Sequence, residues 1–412
     1  KTFVGGPLAP GAGLKLIEEG KKFLWISERD GWAHIYLYDI SGMLIRQLTK
    51  GAFPVLQIVD VDETNGWMYF TAHAEKRLYD THLYRVNFEG KGFTKLTEAI
   101  GHHAVQFSPS KEYFLDTHSS TDRPPVVDLR MADGSLVQTI SEADITALED
   151  LKWSPPEEFI VKAADEKTDL YGVLYKPHDF DPSKKYPVLD YIYNGPQTTV
   201  VPRTYVSRRG LLAQAYAQLG FITFIVDGRG TPERSKEFQD VAYGNFGRNE
   251  IPDHVATLKQ LAAERPYMDL DRVGIHGGSW GGYMTIRAMV LAPDVYHVGV
   301  SSVPVVDLYD QMGLAIERYM GLPKNNREGY EYGSSLRLAD KLKGKLLMIA
   351  STSDVNATFS ATMKMVEALI RANKPYDLIV LPDQDHHPTG KSITYYLEAH
   401  RRYFQEHLKP DS

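Results

Sequence analysis

Hydrophobic and polar positions along the chain fall into two rhythms. Over about the first 150 residues, short apolar or alternating runs are broken by polar turns. Residues 23–27 give way to Glu28-Arg29-Asp30-Gly31, and the runs 33–38, Ile40-Ser41-Gly42 and 45–49 follow. The pattern returns at 67–70, 82–86 and 93–97, and 48 residues separate both His34 from His82 and Leu48 from Leu96. A blurred third copy lies at 113–115, 126–130 and 136–140. Such runs predict strands, and a β repeat of roughly 40–50 residues predicts propeller blades. Closed propellers hold roughly four to eight blades. With about three blades here, the expectation for residues 1–150 is a partial propeller, either a fragment or an open stack against a second domain.

From about residue 186 the rhythm changes. Apolar runs at 188–193, 221–226, 273–275, 298–303, 346–349 and 378–381 suit strands buried on both faces. Between them Val255, Leu258, Leu261 and Ala262 fall at helical spacing, as do Met363, Val366, Leu369 and Ile370. Alternation of strand and helix predicts an α/β domain over 151–412 with a doubly wound, mostly parallel sheet. Residues 151–185, with Pro155-Pro156 and the run 170–175, read as a hinge into its antiparallel start.

Composition changes this picture little. The 412 residues are 43% hydrophobic, 24% charged and 11% aromatic, and a chain of this length exceeds one ordinary core. A net charge of −7 without a basic block argues against a nucleic-acid partner. The longest apolar stretches, such as 220–226, fall short of a membrane span, and no signal peptide is recognisable. Cysteine is absent, which removes disulfides, thiolate metal sites and cysteine catalysis. The first residue is Lys1, so the expectation is a processed or truncated chain. Its compartment is then periplasmic or secreted if an upstream export signal was lost, and cytoplasmic otherwise.

The chemistry concentrates in the second rhythm. Arg272-Val273-Gly274-Ile275-His276 leads into Gly277-Gly278-Ser279-Trp280-Gly281-Gly282, and a helical run follows from Tyr283. This is G-x-S-x-G between strand and helix, the nucleophile elbow of the α/β-hydrolase fold. Ser279 is the expected nucleophile. A serine hydroxyl needs a base and an orienting carboxylate, which follow it in the order Asp, His in this fold. Asp354, just past the run 346–349, is the expected acid; as a bland alternative it caps the next helix, a role Ser360 could fill instead. In Asp383-Gln384-Asp385-His386-His387 one histidine is the base, His386 by choice and His387 as the alternative. His276 is expected to face a neighbour within the sheet. The backbone N–H of Trp280 supplies one oxyanion donor. Tyr193, in Tyr193-Asn194-Gly195-Pro196, is either a second donor or a packing residue at the strand end. The pattern calls for no cofactor and no metal.

Through these residues the chain resembles the prolyl oligopeptidase family, on its dipeptidyl peptidase IV branch. The similarity is carried by Tyr186-Pro187, Tyr193-Asn194-Gly195-Pro196, Asp227-Gly228-Arg229-Gly230, Gly278-Ser279-Trp280-Gly281-Gly282-Tyr283, Glu317-Arg318-Tyr319-Met320-Gly321-Leu322-Pro323, Ser353-Asp354-Val355-Asn356 and Asp385-His386. The resemblance implies a serine peptidase that removes Xaa-Pro or Xaa-Ala dipeptides from N-termini through an acyl-enzyme. It implies that the Tyr193 hydroxyl completes the oxyanion hole and that Asn356 binds substrate. It also implies a homodimer. The branch lines its proline pocket with tyrosines where this chain, counted back from Glu317, has Gln311 and Ala315, with Tyr309 nearby but out of register. That departure implies a wider or more polar pocket. The branch's amine-anchoring glutamate pair has no match in context at Glu18-Glu19 or Glu157-Glu158, which implies that the anchor lies upstream of Lys1. The rival readings are an acylaminoacyl-peptidase or esterase on the same triad, and a binding protein that keeps the fold without the activity.

Overall fold

The structure, a computed structural model, describes residues 14–150, 153–310 and 313–409. The chain divides into two compact units, and the division is not a single cut. The first unit runs through Pro155 and takes in Pro202–Arg208 and Pro232–Gln239; the second comprises Pro156–Val201, Arg209–Thr231 and the chain from Asp240 on.

The first unit carries, among the described residues, three four-stranded antiparallel sheets in simple sequential order. They are β1–β4 (Leu14–Ile17, Lys22–Ser27, His34–Asp39, Leu44–Gln47), β5–β8 (Val55–Asp62, Trp67–Ala72, His82–Asn87, Thr94–Lys95) and β9–β12 (His102–Phe107, Tyr113–Ser119, Val126–Met131, Leu136–Glu142). The 48-residue interval has a physical source. At the head of β3, His34 Nδ1 and the N–H of Ile35 both meet the Thr49 hydroxyl, at 3.1 and 3.0 Å. At the head of β7, His82 and Leu83 meet Thr97 in the same way, at 3.0 and 3.1 Å. Leu48 and Leu96 are buried beside these clasps. The third sheet lacks the clasp, which is why its copy is blurred in sequence. In its place His103 pairs with Asp116, and Arg130 lies between Asp116 and Asp128.

Two expectations need correction here. The first strand of each sheet (β1, β5 and β9) escaped the apolar pattern because its residues are mostly half-covered or exposed. Ile40-Ser41-Gly42, expected as a strand, is a turn closed by the Gly42 N–H on the Asp39 carbonyl at 3.0 Å.

The second unit is built on one eight-stranded sheet. Its strands are β13 (Glu157–Lys162), β14 (Asp169–Tyr175), β15 (Tyr186–Tyr191), β16 (Ile222–Asp227), β17 (Met268–Gly278), β18 (Val298–Ser302), β19 (Lys345–Ser351) and β20 (Asp377–Leu381). The order is β13-β14-β16-β15-β17-β18-β19-β20, antiparallel as far as β16 and parallel from there on. Every residue of β16 and β18 is buried, as continuous apolar strands require when helices cover both faces. One core cluster joins Leu189, Phe221, Val300 and Ile349 to Phe404 of the helix Lys391–Leu408. Strand order reverses at β15, and the loops after its neighbours open at the carboxyl ends of the strands, where sites form in such sheets.

Two helices bury faces that apolar spacing misjudged. Phe359–Arg371 turns Ala361, Thr362, Met365 and Leu369 inward and leaves Ile370 exposed. Glu250–Glu264 buries Asp253, His254 and Thr257 alongside Ile251, Leu258 and Leu261. Those polar residues are tolerated because they are paired. His254 Nδ1 meets Asp190 at 2.9 Å, and Tyr296 donates to the same carboxylate at 2.8 Å. Among the described residues, no helix is long and apolar enough to cross a membrane.

Candidate active site

Ser279 stands between β17 and the helix Trp280–Leu291, with φ 59° and ψ −118°. A left-handed backbone at a non-glycine residue costs on the order of 1–3 kcal/mol, so the surroundings have to hold it. The Ser279 N–H donates to Ser302 O at 2.9 Å, and its carbonyl accepts the Tyr283 N–H at 3.1 Å. Close approach of the neighbouring strand explains two of the flanking glycines: a Cβ on Gly277 or on Gly281 would lie 2.3 Å from the Ile192 carbonyl oxygen. The turn leaves Ser279 half-buried while the helix behind it is buried from Trp280 through Val290. The first N–H groups of that helix, that of Trp280 among them, have no carbonyl one turn back.

Asp354 follows β19. Its Oδ1 accepts the N–H groups of Asn356 and Ala357 at 2.8 and 2.9 Å, and its Oδ2 lies 2.7 Å from His386 Nδ1. An ionised carboxylate only accepts, so Nδ1 carries the proton and Nε2 keeps the lone pair. The helix Phe359–Arg371 is capped by Thr358, whose hydroxyl accepts from the Ala361 N–H, and not by Asp354 or Ser360. His386 follows β20 and is buried; His387 is exposed, its ring edge-on to that of His386 at 5.1 Å. The two loops are stitched together. The Ser353 N–H donates to Gln384 O at 3.0 Å and the Asp383 N–H to the Thr352 hydroxyl at 2.9 Å.

Tyr193 follows β15 and accepts a hydrogen bond from Gln197 Nε2 at 3.0 Å. Burial pushes its phenol above the ordinary value, while the Gln197 amide, the Arg209 guanidinium and the nearby Ser279 hydroxyl act the other way. The loop is locked from below. Asn194, at φ 47°, accepts the Gly228 N–H at 2.6 Å and donates to Arg229 O at 3.3 Å. Asp227 accepts the N–H groups of Val200 and Val201, and Arg229 forks onto Asp253 and reaches Asp165. The Asp227-Gly228-Arg229-Gly230 run thus acts as the clamp on the tyrosine loop.

Of the remaining expected residues, Asn356 is exposed and Ala315 is half-buried on the helix Gly313–Met320. Tyr309 is exposed, with its ring 5.0 Å from that of Tyr330. Gln311 lies outside the described residues. His276 is buried in the sheet against the rings of Tyr191, Tyr216 and Phe404. Sequence reasoning missed Gln197 and Phe246. The Phe246 ring packs 4.7 Å from Trp280 and 5.7 Å from Tyr319, making an aromatic group next to Ser279 in the chain. Only the glycines at 244 and 247 hinted at that close packing.

With this geometry in view, comparison with known proteins is decisive. Residues 208–411 match the model of the prolyl oligopeptidase family, and residues 5–125 match that of the dipeptidyl peptidase IV N-terminal region. The chain belongs to the prolyl oligopeptidase family. Within it, the chain is dipeptidyl peptidase IV-like, with N-terminal all-β blades and a C-terminal α/β-hydrolase domain. Human dipeptidyl peptidase 8 is 33% identical over 379 residues, which cover 88% of this chain and 42% of that protein. Dipeptidyl-aminopeptidase B of Aspergillus niger is 31% identical over 388 residues, 91% of this chain and 42% of the relative. A crystal structure of Porphyromonas gingivalis dipeptidyl peptidase 4 superposes with a TM-score of 0.87 at 32% identity, over 96% of this chain and 56% of that one. The chain therefore spans less than half the length of the curated relatives it matches.

Proposed function

We propose that the chain carries the catalytic centre of a serine peptidase that cleaves dipeptides from peptide N-termini by acyl transfer. The observation that carries this reading is the Asp354–His386 pair at 2.7 Å, on loops stitched at the same sheet edge as the strained Ser279. His386 Nε2 takes the Ser279 proton as Oγ bonds to the scissile carbonyl carbon. Asp354 fixes the ring tautomer and stabilises the imidazolium. The oxyanion is held by the Trp280 N–H and the Tyr193 hydroxyl, each worth roughly 2.7–4 kcal/mol if typical of such donors. Collapse breaks the C–N bond as His386 gives its proton to the leaving amine. Water then attacks the ester by the same route and restores Ser279.

Asn356 is proposed as a substrate-binding side chain beside the acid. Ala315, Gln311 and Tyr309 are proposed to border a P1 pocket roomier than a tyrosine-lined one, which favours Xaa-Ala at least as much as Xaa-Pro. The small Ala315 also supports a second reading, acylaminoacyl-peptidase or esterase activity on the same triad. A homodimer, and a periplasmic or secreted location where an export signal precedes the chain, belong to this proposal as well.

A fluorophosphonate probe tests it. Covalent labelling mapped to Ser279, and lost in Ser279→Ala, is expected; a folded chain that stays unlabelled points to a silent binding protein. Chromogenic Xaa-Pro, Xaa-Ala and N-acylated substrates then separate the dipeptidyl-peptidase from the acylaminoacyl reading.

A further inference from the structure

Building on that acyl-transfer reading, we infer that Gln197 is a positioning residue that aims the Tyr193 hydroxyl at the reacting oxygen. Its Nε2 donates to the phenolic oxygen at 3.0 Å. A phenol has one proton, and when an amide N–H occupies an acceptor position that proton is directed elsewhere. Tyr193 stands beside the serine turn, where a Cβ on Gly281, two residues past Ser279, would lie 3.4 Å from the Tyr193 Cα, so the proton left to the phenol is the one available to an oxyanion formed there.

Gln197 reaches back across a tight loop, closed by the Thr198 N–H on Gly195 O at 3.4 Å. The reach depends on a missing side chain, since a Cβ on Gly195 would stand 2.5 Å from Gln197 Oε1 and 2.9 Å from Nε2. The clamp through Asn194 and Gly228 keeps the loop from giving way. Arg209 adds to the effect: its guanidinium lies 5.7 Å from the Tyr193 ring centroid, and its Nε is held by the Tyr191 hydroxyl at 3.3 Å. A phenol that accepts from an amide while a cation stands over its ring is a stronger donor to an anion.

A carboxylate at position 197 reverses the arrangement. It accepts the phenolic proton and turns it away from Ser279. Gln197→Glu and Gln197→Ala in the 412-residue chain therefore differ in a direction that simple packing loss does not produce. Near pH 7, Gln197→Ala is expected to lower kcat on a small activated ester about 10-fold with KM little changed. Gln197→Glu is expected to lower it by about 10²-fold or more, as for loss of a whole oxyanion donor. The gap between them closes as pH falls toward the ordinary glutamate value of about 4.3. Independently of turnover, 13Cζ-tyrosine NMR, assigned with Tyr193→Phe, should show the Tyr193 phenol titrating higher in both variants and highest in Gln197→Glu.

A Gln197→Glu variant at least as active as Gln197→Ala, or a Tyr193 resonance unmoved in both, overturns the inference. An unlabelled wild-type Ser279 overturns the acyl-transfer reading instead, and the Tyr193 resonance still decides the role of Gln197.

Discussion

Among the described residues, three buried histidines hold a carboxylate at Nδ1, and one of them, His386, is the proposed general base. In the third blade His103 meets Asp116 at 2.8 Å; behind the hydrolase sheet His254 meets Asp190 at 2.9 Å; at the sheet edge His386 meets Asp354 at 2.7 Å. Distance hardly separates them. The other ring nitrogen does. His103 Nε2 faces the Ala99 carbonyl at 2.6 Å, so both of its nitrogens meet acceptors and no lone pair is left to offer. His254 Nε2 has no hydrogen-bond partner, but the residue is wholly enclosed. His386, though buried, keeps 8% exposure and follows β20 on the strand-end side where Ser279 stands. A His–carboxylate pair is thus a common way to satisfy a buried imidazole, and a general base needs an accessible Nε2 lone pair as well.

The comparison breaks first at the acids. Asp354→Asn is expected to cut kcat about 10⁴-fold, by favouring the wrong tautomer of His386, with little change in melting temperature. Asp190→Ala should do the opposite. Removing one partner of a buried pair costs about 3–5 kcal/mol, read as a lower urea midpoint, while turnover per fluorophosphonate-labelled site stays near wild type. If Asp190→Ala instead abolishes turnover in folded protein, the distinction between the two pairs fails.

A smaller effect comes from buried histidines that have no carboxylate. Burial pushes His276 down to about 3 and His400 well below its ordinary value. Both are neutral in the folded chain, whereas unfolded histidine titrates near 6.5, roughly. Their contribution is complete above that value and is lost as pH falls below it, because only the unfolded state then gains protons. The expected slope is about 1.4 kcal/mol per pH unit for each histidine. His276→Phe should remove one histidine's share of that slope between about pH 6 and 4, measured from urea midpoints; an unchanged slope would count against burial as the cause. The smallest effect belongs to the cap. Thr358→Ala should cost about 1 kcal/mol and leave kcat alone, which separates helix capping from the role proposed for Asp354.

Much of this was legible along the chain. The elbow is local: Gly277, Ser279 and Gly281 lie within five residues, and their spacing encodes the turn that their contacts with Ile192 enforce. The blade interval is legible because the His34–Thr49 and His82–Thr97 clasps each close within one sheet. The leading strands β1, β5 and β9 were not, because their half-covered residues carry no strong apolar alternation. Nor was the polar inner face of Glu250–Glu264, whose partners lie far off in sequence, Asp190 being 64 residues from His254.

The sequence by itself determined the nucleophile turn, the order in which serine, aspartate and histidine follow one another, and the change from β repeat to strand–helix alternation. These rest on backbone conformation and periodicity, which neighbouring residues impose. Tertiary structure decided which of two adjacent histidines meets Asp354, that the Tyr193 hydroxyl meets Gln197, and which distant carboxylate each of the buried histidines holds. Each of those depends on the direction of a side chain toward its partner, and spacing along the chain carries no record of that direction.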